Sequence, residues 1–419
     1  MNAPGHPARE SRSRFAFQTV ASPLHDASTL RTLLAPYHAA FEGLGGTPRE
    51  GSATATLPRV VFVATGGTER QVLDLAPFSA GEPALLVAHP GHNSLPASLE
   101  VLARARQLGF RGQIVYLRGA DDADGLRQIA AAVHDVAVRH ALRASRIGLV
   151  GSPSDWLVAS SPALDVVRSV WGPTVVPVSL DTILGEPDVT VVAAGEAVAR
   201  ELRGGAAGIT EPAEADLAPA GNVHEMLRRV VQAERLDALT VRCFDLVMAR
   251  HTTGCVALAN LNDEGVVAGC EGDLVTTVAM LWLKLMLGAT SWMANPSRVD
   301  HDRGTLLLAH CTVPRSMGST YRLRSHFESG LGVGIQGALP SGPVTLVRLG
   351  GVNMERLRVH EGELLRNTDH ADLCRTQAEV EIGEAALHEL LTDPLGNHMV
   401  LVPGHHAAAL KRWHETMIG

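Results

Sequence analysis

Glu271, Asn295, His310 and His398 are the residues of this 419-residue chain whose types and settings could do chemistry together. Glu271 lies in GCEGD, between the strand-like VVAGC and DLVTTVAMLWLKLMLG, the most hydrophobic stretch of the sequence. A bare buried carboxylate is strongly disfavoured unless it is paired or ligates a cation. Either Glu271 stays at the solvent edge, or something positive faces it. His310 ends the apolar run TLLLAH, where a strand terminus lets a side chain project, and His398 follows Gly396 and Asn397 just before MVLVP. Asn295 ends SWMAN and precedes Pro296, which cannot continue a ladder. One carboxylate, two imidazoles and an amide oxygen make a mixed oxygen and nitrogen set suited to Mn2+, Fe2+, Co2+ or Zn2+.

The elements that must position these groups change character along the chain. Residues 1–57 read as a polar leader with the first elements. From 58 to 145, RVVFV, ALLVA and QIVYL alternate with helical stretches, the pattern of βαβ units and a parallel sheet. ATGGTE at the first strand end reads either as a site loop or as a structural turn. The same grammar restarts over 146–288, where LTVRCFDLV and VVAGC are strand-like, GCVALANLNDEG is a short helix and 202–222 an exposed excursion. Asp273 stands where an N-cap would sit, and Gly288 where the apolar helix would stop. From 289 to 419, short runs that alternate apolar and polar residues between Gly, Pro and Asn predict an antiparallel sheet or small barrel, closed by a helix. The fold class is therefore α/β: two Rossmann-like parallel-sheet domains followed by a C-terminal antiparallel β domain.

Composition narrows the function classes. With 46% hydrophobic and 19% charged residues the chain is globular, and a net charge of −8 gives no basic footprint for nucleic acid. The longest apolar run is interrupted by Lys284 and too short to span a bilayer, and the N-terminus lacks a signal peptide's apolar core. Five cysteines without a CxxC pair fit reduced thiols. The expectation is a soluble cytoplasmic protein with neither nucleic acid nor membrane as partner. No nicotinamide fingerprint or phosphate-cradling loop is present, so no organic cofactor is expected.

LNDEGVVAGCEGDLVTTVAMLWLKLMLG and LGNHMVLVPGHHAAAL resemble the metal-binding regions of the L-fucose isomerase and L-arabinose isomerase superfamily. The resemblance is specific over about 235–300 and 390–410 and architectural over the N-terminal half. It implies a Mn2+ (or other divalent transition metal) centre held by Glu271, His398 and His310, with a sugar-like substrate and a homo-oligomer whose sites lie near subunit contacts. The family's reaction is aldose–ketose isomerisation, in which the metal polarises the carbonyl and a carboxylate moves the α-proton through an enediol(ate).

One position departs from the pattern. Asn295 stands where the family has its second carboxylate. An amide can offer an oxygen to a metal but cannot act as a base, so Glu271 must be both ligand and base, or another group supplies the second function. Asp273, Asp300, His301, Asp302 and Glu328 are the candidates by sequence proximity, with Asp273 equally readable as the helix cap. The same departure keeps a metal-dependent epimerase or lyase open as an alternative, and loss of the metal would leave a sugar-binding or regulatory protein.

Further residues could meet a substrate. Alternation in YRLRSHFE puts Arg322 and Arg324 on one face, which suits either a solvated sheet edge or, with His326, a hydroxyl-rich or anionic ligand. Asn397 beside His398 joins them as a candidate substrate contact. His405 and His406 are read as entering the last helix, and Cys270 and Cys311 as buried apolar neighbours of the presumed ligands.

Overall fold

The structure is a computed structural model that describes residues 13–49, 57–75 and 83–419. The chain divides into two compact units, one running to His140 with Glu415–Met417 and Gly419, the other comprising Ala141–His414 and Ile418.

The first unit carries five parallel strands, Phe15–Val20 (β1), Gly46–Pro48 (β2), Arg59–Val63 (β3), Ala84–Ala88 (β4) and Gly112–Tyr116 (β5), in the order β2-β1-β3-β4-β5. RVVFV and ALLVA are almost wholly buried, as expected of central parallel strands covered on both faces. Val61, Val63, Leu86, Val101 and Leu102 form part of its core. β1, the helix Ala27–Gly43 and β2 fall inside the stretch read as leader. FAFQTV alternates too weakly to announce a strand, yet it lies in the sheet beside β3. The polar start of that stretch lies outside the described residues.

In the second unit a parallel sheet holds Arg146–Val150 (β6), Thr174–Val178 (β7), Ala238–Val241 (β8) and Val267–Cys270 (β9), ordered β7-β6-β8-β9. Residues 202–222, expected as an exposed excursion, are unburied over 203–216 but largely helical: the end of the helix Val189–Gly205, a short loop and the first part of the helix Glu214–Glu234. At Gly221 a small residue that suggested a loop serves close helix packing. A Cβ at Gly221 would lie 2.4 Å from the Gly195 carbonyl oxygen on the facing helix. LTVRCFDLV is likewise not one strand: β8 stops at Val241, and Phe244–Arg250 is helical.

Eight more strands follow: Trp292–Asp300 (β10), Thr305–His310 (β11), Thr320–Arg324 (β12), Gly334–Ala338 (β13), Gly342–Gly350 (β14), Arg356–Asn367 (β15), Thr376–Glu381 (β16) and Met399–Pro403 (β17). Six of them close an antiparallel barrel in the order β10-β11-β16-β15-β14-β17, and β12 pairs with β13 as a separate hairpin. Pro296 does not end its strand. It pairs with Leu308 and is followed by a bulge before Arg298, the irregularity that accommodates a missing donor.

The helix Leu274–Leu287 packs against β8 and β9 of the parallel sheet and against β10, β14 and β17 of the barrel. Buried on all sides, it is apolar on all sides, which accounts for its sequence.

Candidate metal centre

One cavity of about 330 Å3 opens at the C-terminal ends of β6, β8 and β9, the end at which parallel sheets bind ligands. Trp156 from the loop after β6, Phe244 after β8 and Glu271 after β9 line it, together with Asn295, His310, His326, Glu328 and Asn397 from the segments that follow. Its volume is that of a small-molecule site.

The turn after β9 is strained where it matters. Glu271 adopts φ 65° and Gly272 φ 72°. The left-handed conformation costs a non-glycine residue about 1–2 kcal/mol and persists only where surrounding contacts impose it. Here Gly272 N–H donates to the Val241 carbonyl and Ser154 N–H to that of Glu271. A Cβ on Gly272 would lie 2.6 Å from the Ser152 carbonyl oxygen. This turn puts Glu271 on the cavity wall and leaves Asp273 to cap the apolar helix, accepting from Thr276 N–H at 2.8 Å.

Glu271 Oε1 lies 3.5 Å from His398 Nε2 and 3.9 Å from His310 Nε2. The three residues are buried, and one donor atom from each falls within 4.8 Å of the others, a possible metal site. His398 Nε2 is sealed from solvent and has no hydrogen-bond partner among the described residues. An orphaned buried nitrogen is costly unless something fills its lone pair. Two ligands each about 2.0–2.2 Å from one divalent ion stand roughly 3–3.5 Å apart, close to the spacing observed. Two imidazoles and a carboxylate are also a donor set for divalent transition metals with positions left open. The residues present fit such an ion.

Behind the donors lies a second layer. His398 Nδ1 and Asp273 Oδ2 are 2.9 Å apart, and His310 Nδ1 shares a 2.9 Å hydrogen bond with Thr312 Oγ1. In both rings the outer nitrogen is engaged and Nε2 faces Glu271, the usual arrangement of metal-ligating histidines. Arg348, fully buried on β14, donates to Thr276 Oγ1 at 2.7 Å and to the His398 carbonyl at 3.1 Å, with Nη1 3.5 Å from Asp273 Oδ2. On the other side, Trp156 Nε1–H donates to Glu271 Oε2 at 2.6 Å.

These contacts set the charges. Burial alone would raise the Glu271 carboxyl, but the charge of His398 3.5 Å away, with that of His310 and the hydrogen bond from Trp156, brings it below its ordinary value. Burial opposes ionisation of Asp273 too, yet His398 and Arg348 hold it at about 2. His398 is disfavoured as a cation by burial and still raised to about 9 by Asp273 and Glu271. His310 is lowered to about 4 by burial and by the charge of His398. Without an ion, a proton on His398 supplies the positive charge between the two carboxylates.

Not every expected residue reaches the cavity. Asp273 is sealed at 0% exposure, its carboxylate engaged by His398 and Thr276, so it cannot meet a substrate as a base. Arg322 and Arg324 do share a face of β12, but neither lines the cavity. Arg324 is paired with Glu211 and Asp369, and Arg322 is exposed. His326 does line it, its Nδ1 sharing a hydrogen bond with Ser329 Oγ. Asp300 ends β10 and His301 and Asp302 sit in the turn to β11, all exposed, with His301 facing Glu384. Glu328 alone of the alternative bases is on the wall. His406 occupies the N-cap position of the last helix, with its side chain turned back to the Pro403 carbonyl. Sequence reasoning missed Trp156 and Arg348. The first follows the end of a parallel strand, and the second is a lone cation in the apolar run VTLVRLGG, a pattern that calls for a buried counter-charge.

No family model matches the chain. Among curated proteins it is similar to the sulfoquinovose isomerases of Priestia aryabhattai and Priestia megaterium, at 26% identity over 190 residues, 42% of this chain and 42% of each of theirs. It is also 30% identical over 82 residues to the sulfoquinovose isomerase of a Clostridium species, 19% of this chain and 18% of that protein. The matched region spans less than half the length of these relatives. The distant homologues are sugar isomerases.

Proposed function

We propose that this chain is a divalent-metal-dependent aldose–ketose isomerase of the L-fucose and L-arabinose isomerase superfamily, acting on a sugar-like substrate. The observation that carries the reading is the convergence of Glu271 Oε1 and His310 Nε2 with the orphaned His398 Nε2 beside a ligand-sized cavity. The distant similarity to sulfoquinovose isomerases supports the sugar. Mn2+ held by Glu271, His310 and His398, with Asn295 on the same wall, would polarise the substrate carbonyl.

The chain's own groups then divide the work. Glu271, ionised and aimed by Trp156, takes the proton from the carbon next to the carbonyl. Glu328, the second carboxylate on the wall, exchanges a proton with the neighbouring oxygen as the enediol(ate) forms and collapses. Asn397 and His326 offer hydrogen bonds to substrate hydroxyls. Asp273 and Arg348 touch no substrate and hold His398 in place. The amide at Asn295 favours one second reading, return of the proton to the same carbon from the opposite face, which is epimerisation.

Turnover of aldoses and ketoses in deuterated water with Mn2+ tests both. Isomerisation with solvent deuterium at the carbon next to the carbonyl, lost in Glu271→Gln, is the expected result. Label with inverted configuration and no ketose would favour epimerisation, and turnover without label would contradict proton transfer. We further propose a cytoplasmic homo-oligomer, on the resemblance and the five free thiols. A monomer in light scattering would contradict the assembly.

A further inference from the structure

Every cysteine of the chain, Cys243, Cys255, Cys270, Cys311 and Cys374, lies on the wall of the cavity that holds Glu271 and His310. A free cysteine often fills a core as a small hydrophobe, but packing alone does not gather five distant positions onto one wall. Two of them are closer than packing explains. Cys243 Sγ and Cys270 Sγ stand 2.9 Å apart, nearer than even two carbon atoms at their optimal contact of about 3.5–4.0 Å. The pairing follows from the fold: β8 and β9 are parallel neighbours with Val241 opposite Cys270, and Cys243 comes two residues after Val241. Both thiols are almost fully buried, so the cavity is the route by which a small reagent meets them.

We propose that Cys243 and Cys270 form an oxidation-sensitive dithiol, converted to a disulfide by hydrogen peroxide entering the cavity. The sulfur of one cysteine attacks a peroxide oxygen and the O–O bond breaks, leaving a sulfenic acid and one water. The second sulfur attacks the sulfenic sulfur. The S–S bond forms, the S–O bond breaks, and the departing hydroxide leaves as a second water with that thiol's proton. Two thiols lose two electrons, and the peroxide is reduced to two waters. A disulfide near 2.05 Å draws the end of β9 towards the turn after β8. Cys270 is bonded directly to Glu271, whose left-handed backbone has little slack, so oxidation displaces the Glu271 carboxylate from His310 and His398. That last consequence rests on the metal reading above; the dithiol chemistry does not.

The test treats the full chain with hydrogen peroxide, blocks remaining thiols by alkylation and maps the peptides by mass spectrometry. The expected result is a Cys243–Cys270 linked peptide, a loss of two hydrogens per chain, full reversal by dithiothreitol, and no linkage in Cys243→Ser or Cys270→Ser. Cys374→Ser should still form it. A wild-type map showing sulfinic acid on single cysteines, or a disulfide between other positions, overturns the proposal without any variant. Mn2+ titration of the oxidised and re-reduced protein reads the coupling: at least tenfold weaker binding after oxidation is expected, and equal binding contradicts displacement of Glu271. Protein that binds no Mn2+ in either form contradicts the metal centre, whereas the peptide map decides the dithiol by itself.

Discussion

His398 and Asp273 are joined through Nδ1 and Oδ2 at 2.9 Å, both sealed from solvent, 125 residues apart in sequence. Asp273 has two tasks at once. One oxygen caps the apolar helix through Thr276 N–H, while the other fixes the His398 ring so that Nε2 faces Glu271. The most hydrophobic helix of the chain thus begins at the carboxylate that orients a candidate metal ligand.

Asp273→Asn keeps the shape and an oxygen for the cap but removes the charge. Mn2+ affinity should fall roughly 10–100-fold, as is usual when the partner of a ligating histidine is lost. Arg348 would be left buried without its counter-charge, so stability should fall by about 3 kcal/mol or more in urea titration. Unchanged affinity would show that the hydrogen bond does not orient the ligand.

Metal binding should be coupled to pH through His398. Its raised value of about 9 means that the metal-free protein carries an imidazolium at neutral pH, and an ion must displace that proton. Apparent Mn2+ affinity should therefore rise about tenfold per pH unit between roughly pH 6 and 8, levelling off near 9, with about one proton released per ion. The protonated His398 stabilises the metal-free fold fully below its ordinary value of 6.5, and this is lost as pH rises through about 9. Calorimetry in buffers of different ionisation enthalpy counts the protons. A flat affinity over that range would contradict the assignment.

Gly272→Ala should destabilise the chain by about 1–3 kcal/mol, from strain at φ 72° and from a Cβ driven against Ser152 and Pro153. The same substitution should weaken Mn2+ binding, because the turn it distorts is the one that carries Glu271. A stability within 0.5 kcal/mol of wild type, roughly the range of neutral surface changes, would remove the argument that this turn is held under constraint.

Asn295→Asp places a carboxylate where the resembling family has one. Divalent-metal affinity should tighten, read by Mn2+ titration at fixed pH. If affinity is unaltered, Asn295 stands on the cavity wall without reaching the ion.

Much of this was legible before folding. Strand-and-helix alternation announced the parallel sheets, and the short alternating runs after residue 289 announced the antiparallel barrel. Glu271, His310 and His398 each flank an apolar run, which is a weak signal among 19 histidines, and the family resemblance is what singled them out. What was not legible depends on long-range packing. Trp156 reaches Glu271 across 115 residues, and Arg348 reaches Asp273 through the barrel wall. The loop-like composition of 202–222 hid two helices, since small residues permit both loops and tight helix contacts. Arg322 and Arg324 shared a face as alternation required, but alternation cannot say what that face meets, and Arg324 met Glu211 and Asp369.

The central claim is that Glu271, His310 and His398 hold one divalent ion, and metal content tests it most directly. Protein stripped with chelator, reloaded with Mn2+ and desalted should carry one ion per chain by elemental analysis. His310→Ala and His398→Ala, each first shown to be folded by circular dichroism, should carry less than a tenth of that. Full occupancy in either folded variant, or a wild-type protein that takes up no divalent metal, would contradict the account.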